Sequence, residues 1–504
     1  MIMLRICKEL FSDWNTGDVR YCHWKSNEHL MEGLDGETDL DVFVMPEDQP
    51  RAEKLLDLHQ YLKFVPQKSA RYPLVDEWIG FDYDTGKLVH VHLHYQIITG
   101  TKYNKEYVFP LNDQMIADRI LDAETEVYIA SPNWEIIILY SRIALKAKDK
   151  KNIKAKKDDQ KEIDYLKLRI DKEQVLKNCQ MCFGDDAQTV YDLILSEKLS
   201  AAEWSLLLAM VKRWLAPYRK HGNLYVKLKY HYHYYRNVAM AVMRSRMGKH
   251  PITRKALPNK GLSICFIGAD GSGKSTVSCD IQNWLNWKIE ADRFYLGSGD
   301  HYNSLTKRLI SKFMRKKAPA KADSKEYGEP KGSADKKAPQ KMSLKQRVLR
   351  IGFLVLSCRY LKQIAVRSYR EIKKARKYAQ KGAVALYDRF PQNQFSGLYD
   401  GPKIRSRYGD SKNLYARMMA RREEKAIEKA QKYQPDLVFK LILSPEESVR
   451  RKPDHTLEEV APKANITPKL VFANSHVVDI DAAQPYEQEI LQIKRNIWRE
   501  MISK

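Results

Sequence analysis

FIGADGSGKST, residues 266–276, is the stretch that decides the fold of the C-terminal half of this chain. It fits the pattern GxxxxGK[ST] in full. Glycines at this spacing let the backbone curl around a phosphate and direct several N–H groups toward it. A helix expected to begin at Lys274 presents its positive dipole end to the same anion. The stretch therefore predicts a phosphate-binding loop between a buried strand and a helix.

Two polar residues of the loop have predicted roles in nucleotide binding. We expect Lys274 to reach the β- and γ-phosphates of a nucleoside triphosphate, and the Ser275 hydroxyl to bind Mg²⁺. The predicted nucleotide-binding residues are Gly268, Asp270, Gly271, Ser272, Gly273, Lys274, Ser275 and Thr276.

Further apolar runs follow the loop at intervals filled by helical patterns. They are AVALYD at 383–388, DLVFKLIL at 436–443 and HVVDI at 476–480. Strands that alternate with helices predict a parallel sheet with helices on both faces. One segment interrupts the pattern, because residues 316–341 are rich in Lys, Ala, Pro and Gly. We expect it to be a disordered insertion, since it has few large apolar side chains.

From residue 261 to the C-terminus the chain resembles thymidylate kinases and their relatives. The similarity is carried by DGSGKST, by LYDRF at 386–390, by QPDLV at 434–438 and by LSPEESVRRK at 443–452. A last strand and helix, VVDIDAAQPYEQEILQIKRNIW at 477–498, follow in the same order. The resemblance implies an ATP- and Mg²⁺-dependent phosphotransferase.

The resemblance also implies roles for particular residues. Arg389 would grip the phosphate of the acceptor, and Asp388 would orient Mg²⁺ or the attacking oxygen. Arg450 and Arg451 would close over the γ-phosphate. Two structural alternatives stay open. Asp388 and Arg389 could form an ion pair at a strand end, and Arg450 and Arg451 could lie on a solvated helix face.

The acceptor side departs from the thymidylate kinase pattern. Those enzymes carry an Arg-Glu-Pro-Gly type motif after the second strand, whereas residues 292–300 here read DRFYLGSGD. A site without those contacts does not keep the same base selectivity. We therefore expect dTMP to be a poor acceptor, and a nucleotide or another phosphorylated metabolite to be the true one.

Residues 21–44, YCHWKSNEHLMEGLDGETDLDVFV, resemble the core of polymerase-β-type nucleotidyltransferases. Asp39 and Asp41 alternate along a strand, so both side chains share one face and could hold a divalent metal. The later strand that normally supplies a third carboxylate has His90, His92 and His94 instead. The alternatives are that these histidines bind metal or phosphate, that catalysis is lost, or that they are structural.

Between these two domains the chain is basic and helical. Residues 146–162 are Lys-rich and predict an exposed linker or helix surface. The run YVKLKYHYHYYRNVAMAVMRSRM at 225–247 predicts either a helix that packs its tyrosines or a surface for nucleic acid or membrane. We expect a nucleotidyltransferase-like domain at 1–145, a helical region at 146–260 and the kinase-like domain at 261–504.

The composition of the chain restricts the classes of partner and the cellular location that we expect. Lys and Arg number 88 against 63 Asp and Glu, so the net charge is +25 and favours polyanionic partners. No apolar run is long enough for a transmembrane span, no signal-peptide pattern opens the chain, and the seven cysteines are scattered. We therefore expect a cytoplasmic protein.

The expected function is phosphoryl transfer from ATP, and a pairing of these modules would suit surface-glycan assembly. Two alternatives use the same features differently. One is a nucleic-acid-associated ATPase or nucleotidyl-modifying protein that uses the positive charge to hold a backbone. The other is a non-catalytic scaffold whose pocket senses ATP.

Overall fold

The computed structural model describes residues 2–147, 153–296, 344–408 and 413–504. The Lys-rich segment 316–341 lies outside the described residues. The chain divides into two compact units. The N-terminal unit comprises Met1–Asn259 with Lys288–Glu290 and Lys494–Lys504, and the C-terminal unit comprises Lys260–Trp287 and Ala291–Ile493. The regions expected at 1–145 and 146–260 thus fall within one unit.

A mixed sheet forms the centre of the N-terminal unit. Its order is β3-β4-β5-β2-β1-β9-β8, and β2 runs parallel to β5 while β4 runs antiparallel to it. A separate two-stranded sheet joins β6 to β7. The strands are β1 Tyr21–His23, β2 Asp39–Val44, β3 Leu62–Phe64, β4 Val75–Phe81, β5 Leu88–His94, β6 Ile98–Thr99, β7 Tyr107–Val108, β8 Ile120–Leu121 and β9 Tyr128–Ile129.

Ten helices accompany these strands among the described residues of the N-terminal unit up to residue 259. They are α1 Arg5–Thr16, α2 Leu30–Leu34, α3 Gln49–Leu58, α4 Asn112–Ala117, α5 Pro132–Lys146, α6 Lys157–Lys167, α7 Lys172–Phe183, α8 Ala187–Leu195, α9 Ala201–Trp214 and α10 Asn223–Met247. Helix α5 is buried on most of its surface because its sequence WEIIILY is apolar apart from Glu135. It anchors a core that continues through α6 to α9, which explains why the helical region does not form a unit of its own.

The C-terminal unit is built on a five-stranded sheet with the order β11-β12-β10-β13-β14. Every neighbouring pair is parallel. The strands are β10 Ser263–Gly268, β11 Ala291–Phe294, β12 Val384–Asp388, β13 Leu437–Ile442 and β14 His476–Asp481. β10 and β12 are buried along their whole length, as expected for central strands of a parallel sheet.

Helices flank this sheet, so the α/β architecture predicted from the sequence is confirmed. The helices are α11 Lys274–Leu285, α12 Leu344–Ala379, α13 Lys403–Tyr408, α14 Leu414–Gln431, α15 Pro445–Arg451, α16 Leu457–Ile466 and α17 Tyr486–Ile502, the last of which belongs to the N-terminal unit from Lys494 onward. The carboxyl ends of parallel strands meet at one edge of a sheet. The loop after β10 and the residues after β12 are therefore neighbours.

Within the described parts of the chain, no helix combines the length and the apolarity that crossing a membrane requires.

Candidate functional site

The loop between β10 and α11 has the backbone that its glycines predict. Gly271 and Gly273 have φ angles of +90° and +83°, which only glycine adopts readily. A Cβ atom at Gly271 would lie 2.7 Å from the carbonyl oxygen of Ser448, and one at Gly268 would lie 2.8 Å from that of Leu441. The loop is thus curled tightly, and side chains at these positions would open it.

Lys274 lies inside this curl. Its Nζ donates to the carbonyl oxygen of Ala269 at 2.6 Å, and the residue is 7% exposed. Burial, together with the nearby charge of Arg389, lowers the pKa of Lys274 to about 8. A buried cation beside further positive charge is a site that an anion would stabilise.

The first turn of α11 provides the other half of an anion site. Helix-start N–H groups have no acceptor within their own helix, and α11 begins at Lys274. The Ser272 hydroxyl in the loop is buried and has no hydrogen-bond partner. Donors that lack acceptors and the dipole of the helix converge on one point, which is the geometry of phosphate-binding loops.

Ser275 and Asp388 meet at the edge of the sheet. The Ser275 hydroxyl donates to Asp388 Oδ2 at 2.8 Å, and Asp388 Oδ1 is buried without a hydrogen-bond partner. The parallel pairing of β10 with β12 aligns Phe266 with Asp388 and so brings the two side chains together. An oxygen pair with a free buried carboxylate atom fits a Mg²⁺ ion. Thr276 follows in the first turn of the helix and is exposed.

Arg389 stands beside the loop in an uncommon conformation. Its φ is +107°, and its Nη2 lies 3.8 Å from Asp270 Oδ1. Asp270 also pairs with Lys463 of α16. Burial acts to raise the pKa of Asp270, but Lys463, Lys274 and Arg389 outweigh it and hold that pKa at about 2. The structure thus joins Asp270 and Arg389 as predicted members of one site and adds Lys463.

Arg450 and Arg451 are placed differently. Both guanidinium groups pair with Glu447 of their own helix, at 2.7 Å and 2.8 Å. The side chain of Arg450 is 77% exposed. Helix α15 approaches the loop through the Ser448 carbonyl near Gly271, and Val449 packs against the apolar cluster that includes Ala269. The structure therefore does not bring these arginines onto the loop.

The acceptor side has features that sequence reasoning missed. Asp400 has a φ of +54° and a side chain that is 7% exposed; it pairs with Lys403 at 2.9 Å, and its Oδ2 atom has no hydrogen-bond partner. Burial acts to lower the pKa of Arg389, yet the charges of Asp400 and Asp270 raise it on balance. Gln392 holds the intervening turn through bonds from Nε2 to the carbonyls of Phe395 and Leu398. Residues 297–300 lie outside the described residues.

The N-terminal unit contains a second polar cluster, on β2, β4 and β5. Asp41 Oδ1 lies 3.1 Å from His92 Nδ1 and 3.3 Å from His94 Nε2, and one ligand atom from each of the three residues fits around a metal ion. Asp39 is not part of this group. It pairs with His90 at 2.7 Å and with Lys288.

Glu77 of β4 is the carboxylate that sequence reasoning did not find. It lies 2.6 Å from His90 Nε2 and 3.5 Å from His92 Nε2. Burial acts to raise its pKa, but the two histidines outweigh it and lower the pKa to about 2. The sequence pattern pointed instead to the strand at residues 88–95, which carries histidines and no carboxylate. The sheet order places β4 next to β5, a pairing that no local pattern specifies.

Comparisons with known proteins give relatives for about half of the chain. No protein-family model matches. The chain is similar to two proteins of Escherichia coli strain K12 whose printed names are Uncharacterized ATP-binding protein YghR and Uncharacterized ATP-binding protein YghS. YghR is 27% identical over 238 residues, covering 46% of this chain and 86% of that protein. YghS is 27% identical over 237 residues, covering 45% of this chain and 89% of that protein.

Solved structures are similar at lower identity. A deoxyadenosine kinase from M. mycoides with bound dATP is 12% identical with a TM-score of 0.26, covering 47% of this chain and 98% of that chain. A thymidylate kinase from Candida albicans is 14% identical with a TM-score of 0.27, covering 49% of this chain and 94% of that chain.

Proposed function

We propose that the C-terminal unit is an ATP- and Mg²⁺-dependent phosphotransferase that acts on a nucleotide or another phosphorylated metabolite. One observation carries the proposal: the curled loop with buried Lys274 lies next to the Ser275–Asp388 pair, whose free carboxylate oxygen faces no protein donor. The names of the Escherichia coli relatives support ATP as the nucleotide.

In this proposal the loop holds the triphosphate. The backbone N–H groups at the start of α11 bind the phosphate oxygens, and Lys274 neutralises charge that develops during transfer. Its lowered pKa follows first from burial and then from the charge of Arg389, and a bound polyphosphate would offset both. Gly271 and Gly273 allow the close approach that these bonds require.

Ser275 and Asp388 are the proposed ligands of Mg²⁺. When bound, the ion supplies positive charge to the phosphate oxygens that carry the developing negative charge. The hydrogen bond between Ser275 and Asp388 orients both oxygens in advance, so little rearrangement is needed on binding.

Arg389 is the proposed contact for the acceptor phosphate. It projects from the end of β12, next to the strand that carries the loop, and its side chain is 38% exposed. The ion pair with Asp270 and the charge of Asp400 orient the guanidinium. The 3.8 Å separation from Asp270 is too long for a hydrogen bond, so donors stay available. A guanidinium with free donors suits a phosphate oxygen pair.

The test is transfer of labelled phosphate from ATP to a panel of nucleoside monophosphates, sugar phosphates and phosphorylated polyols. We expect product with at least one acceptor in wild type and none with Lys274→Met. The matched control is Lys260→Met. This lysine pairs with Asp436 at 2.8 Å and is not part of the loop. Transfer that survives in Lys274→Met would overturn the assignment.

The same assay separates the alternatives. Release of phosphate that rises with added nucleic acid, with no phosphorylated acceptor, would favour a nucleic-acid-associated ATPase. Binding of ATP without single-turnover transfer to any acceptor would favour the sensing scaffold.

Metal-dependent nucleotidyl transfer by the N-terminal unit stays a prediction. Asp39 and Asp41 share a face of β2 as expected, but each already pairs with a lysine, Lys288 and Lys25 respectively.

A further inference from the structure

A small cleft opens in the N-terminal unit, beside the histidines of β5. Its walls come from the end of β1, from β5, from β6, from the turn before β7 and from the last turns of α5. The residues that line it are Trp24, Lys25, Tyr72, His92, His94, Ile98, Thr99, Lys105, Arg142 and Lys146.

The lining carries an excess of positive charge. Four of its residues are basic, and none of the lining residues that the structure describes is acidic. Two of the four basic residues have acidic partners: Lys25 pairs with Asp41 at 2.8 Å, and Arg142 lies 3.7 Å from Glu162.

Lys105 and Lys146, by contrast, form no ion pair with any described residue. Burial, followed by the charges of Lys25 and Arg142, lowers the pKa of Lys105 to about 8. Desolvation, followed by the charges of Arg142 and Lys105, lowers the pKa of Lys146 to about 6. A bound anion would therefore hold both lysines in their charged forms.

Buried donors of residues that line the cleft lack a hydrogen bond. Trp24 Nε1 and Thr99 Oγ1 have no hydrogen-bond partner, and Arg142 Nη1 has only its 3.7 Å ion pair with Glu162. Trp24 is 2% exposed and Thr99 is 1% exposed, so water does not readily satisfy them. Leaving a buried donor unsatisfied costs about 1–3 kcal/mol each. All three can donate, which matches a ligand whose oxygens only accept.

We propose that this cleft binds the phosphoryl group of a small phosphorylated molecule, with Lys105, Arg142 and Lys146 as its charged contacts and Thr99 and Trp24 as neutral donors. A phosphoryl group offers several acceptor oxygens and up to two negative charges, which suits the two unpaired lysines and the guanidinium better than a monoanionic carboxylate does. The site lies in the N-terminal unit and is independent of the phosphotransferase proposed for the C-terminal unit.

Calorimetric titration of the full chain tests the proposal, in a Lys274→Met background that silences the loop after β10. The probes are inorganic phosphate, pyrophosphate, glucose 1-phosphate and ATP, with acetate as the non-phosphoryl anion. We expect at least one phosphoryl probe to bind and acetate not to bind. The ranking of the probes then identifies the source of the phosphoryl group as free phosphate, sugar phosphate or nucleotide.

Two variants and one control locate the site. Lys105→Met combined with Lys146→Met should raise the Kd of the best probe by about tenfold or more, which corresponds to about 1.4 kcal/mol. Thr99→Val preserves side-chain shape and should also weaken binding. Lys102→Met, which removes an exposed lysine over the Tyr103 ring, should leave the Kd unchanged. Absence of phosphoryl binding, equal binding of acetate, or an unchanged Kd in both cleft variants would overturn the proposal.

Discussion

Lys274→Met should make the folded chain more stable while it removes nucleotide binding. The lysine is buried, and its pKa falls from 10.5 to about 8. At about 1.4 kcal/mol per pKa unit, keeping this group charged in the fold costs about 3 kcal/mol at pH 7. Methionine keeps a stem of similar length and has no charge to bury.

Part of this gain is offset by a lost hydrogen bond. Lys274 Nζ donates to the carbonyl oxygen of Ala269, and a bond from a charged donor contributes about 1.5–3 kcal/mol. That carbonyl also accepts from the Ser272 N–H at 3.2 Å, so it keeps a partner in the variant. We therefore expect a net stabilisation of about 1 kcal/mol at pH 7.

The pH dependence identifies the cause. Between about pH 8 and pH 10.5 the folded wild type releases the Lys274 proton while the unfolded chain keeps it. The unfolded state then binds more protons, so wild-type stability rises with pH in this window. The advantage of Lys274→Met should shrink over the same window. Urea unfolding at pH 7, 8, 9 and 10 measures this directly.

The same urea unfolding experiment, repeated with MgATP, measures nucleotide binding. MgATP at about 100 times its Kd should stabilise the wild type by about 2.7 kcal/mol and should leave the variant unchanged. Lys260→Met, whose lysine is 42% exposed, should keep the full MgATP effect. A variant that is destabilised by more than about 1 kcal/mol, or that still responds to MgATP, would refute the reasoning.

Three further predictions concern single groups of the C-terminal unit. Gly271→Ala should destabilise by about 1–3 kcal/mol and abolish MgATP binding, because it forces alanine to a φ of +90° with its Cβ 2.7 Å from the Ser448 carbonyl; urea unfolding with and without MgATP checks both. Asp388→Asn should weaken Mg²⁺ binding about tenfold or more in the presence of ATP, while the amide oxygen still accepts from Ser275, and a Mg²⁺ titration that matches wild type would contradict the proposed ligand. Glu423 is 2% exposed, and burial raises its pKa to about 7, so wild-type stability should fall as pH rises from about 4.5 to 7, by up to about 3 kcal/mol. Glu423→Gln should lose this fall, which unfolding at pH 5 and pH 8 would show.

Local sequence was sufficient wherever the chemistry depends on consecutive residues. The positive φ angles of Gly271 and Gly273 and the start of α11 at Lys274 follow from one nine-residue motif, and the burial of β10 follows from the apolar run that precedes it. The end of β12 at Asp388 follows from an apolar run that stops at a charged pair.

Contacts between side chains far apart in the sequence could not be predicted from local patterns. Sequence patterns assigned Mg²⁺ to both Ser275 and Asp388, but their hydrogen bond across 113 residues depends on β10 and β12 being neighbours. Asp270 meets Lys463 across 193 residues, and nothing near Lys463 marks it as part of the site. Glu77 joins the histidines of β5 through a strand that precedes them.

By itself the sequence determined that the C-terminal half forms a parallel α/β sheet with a phosphate-binding loop, because turn chemistry and hydrophobic period act between near neighbours. It also determined that Asp39 and Asp41 share a face, since side chains alternate along a strand. Only the tertiary structure decided which charges meet. Arg450 and Arg451 turn to Glu447, and four basic residues of distant segments line one cleft. The order of strands and the packing of helices set these distances, and neither is encoded in the spacing of adjacent residues.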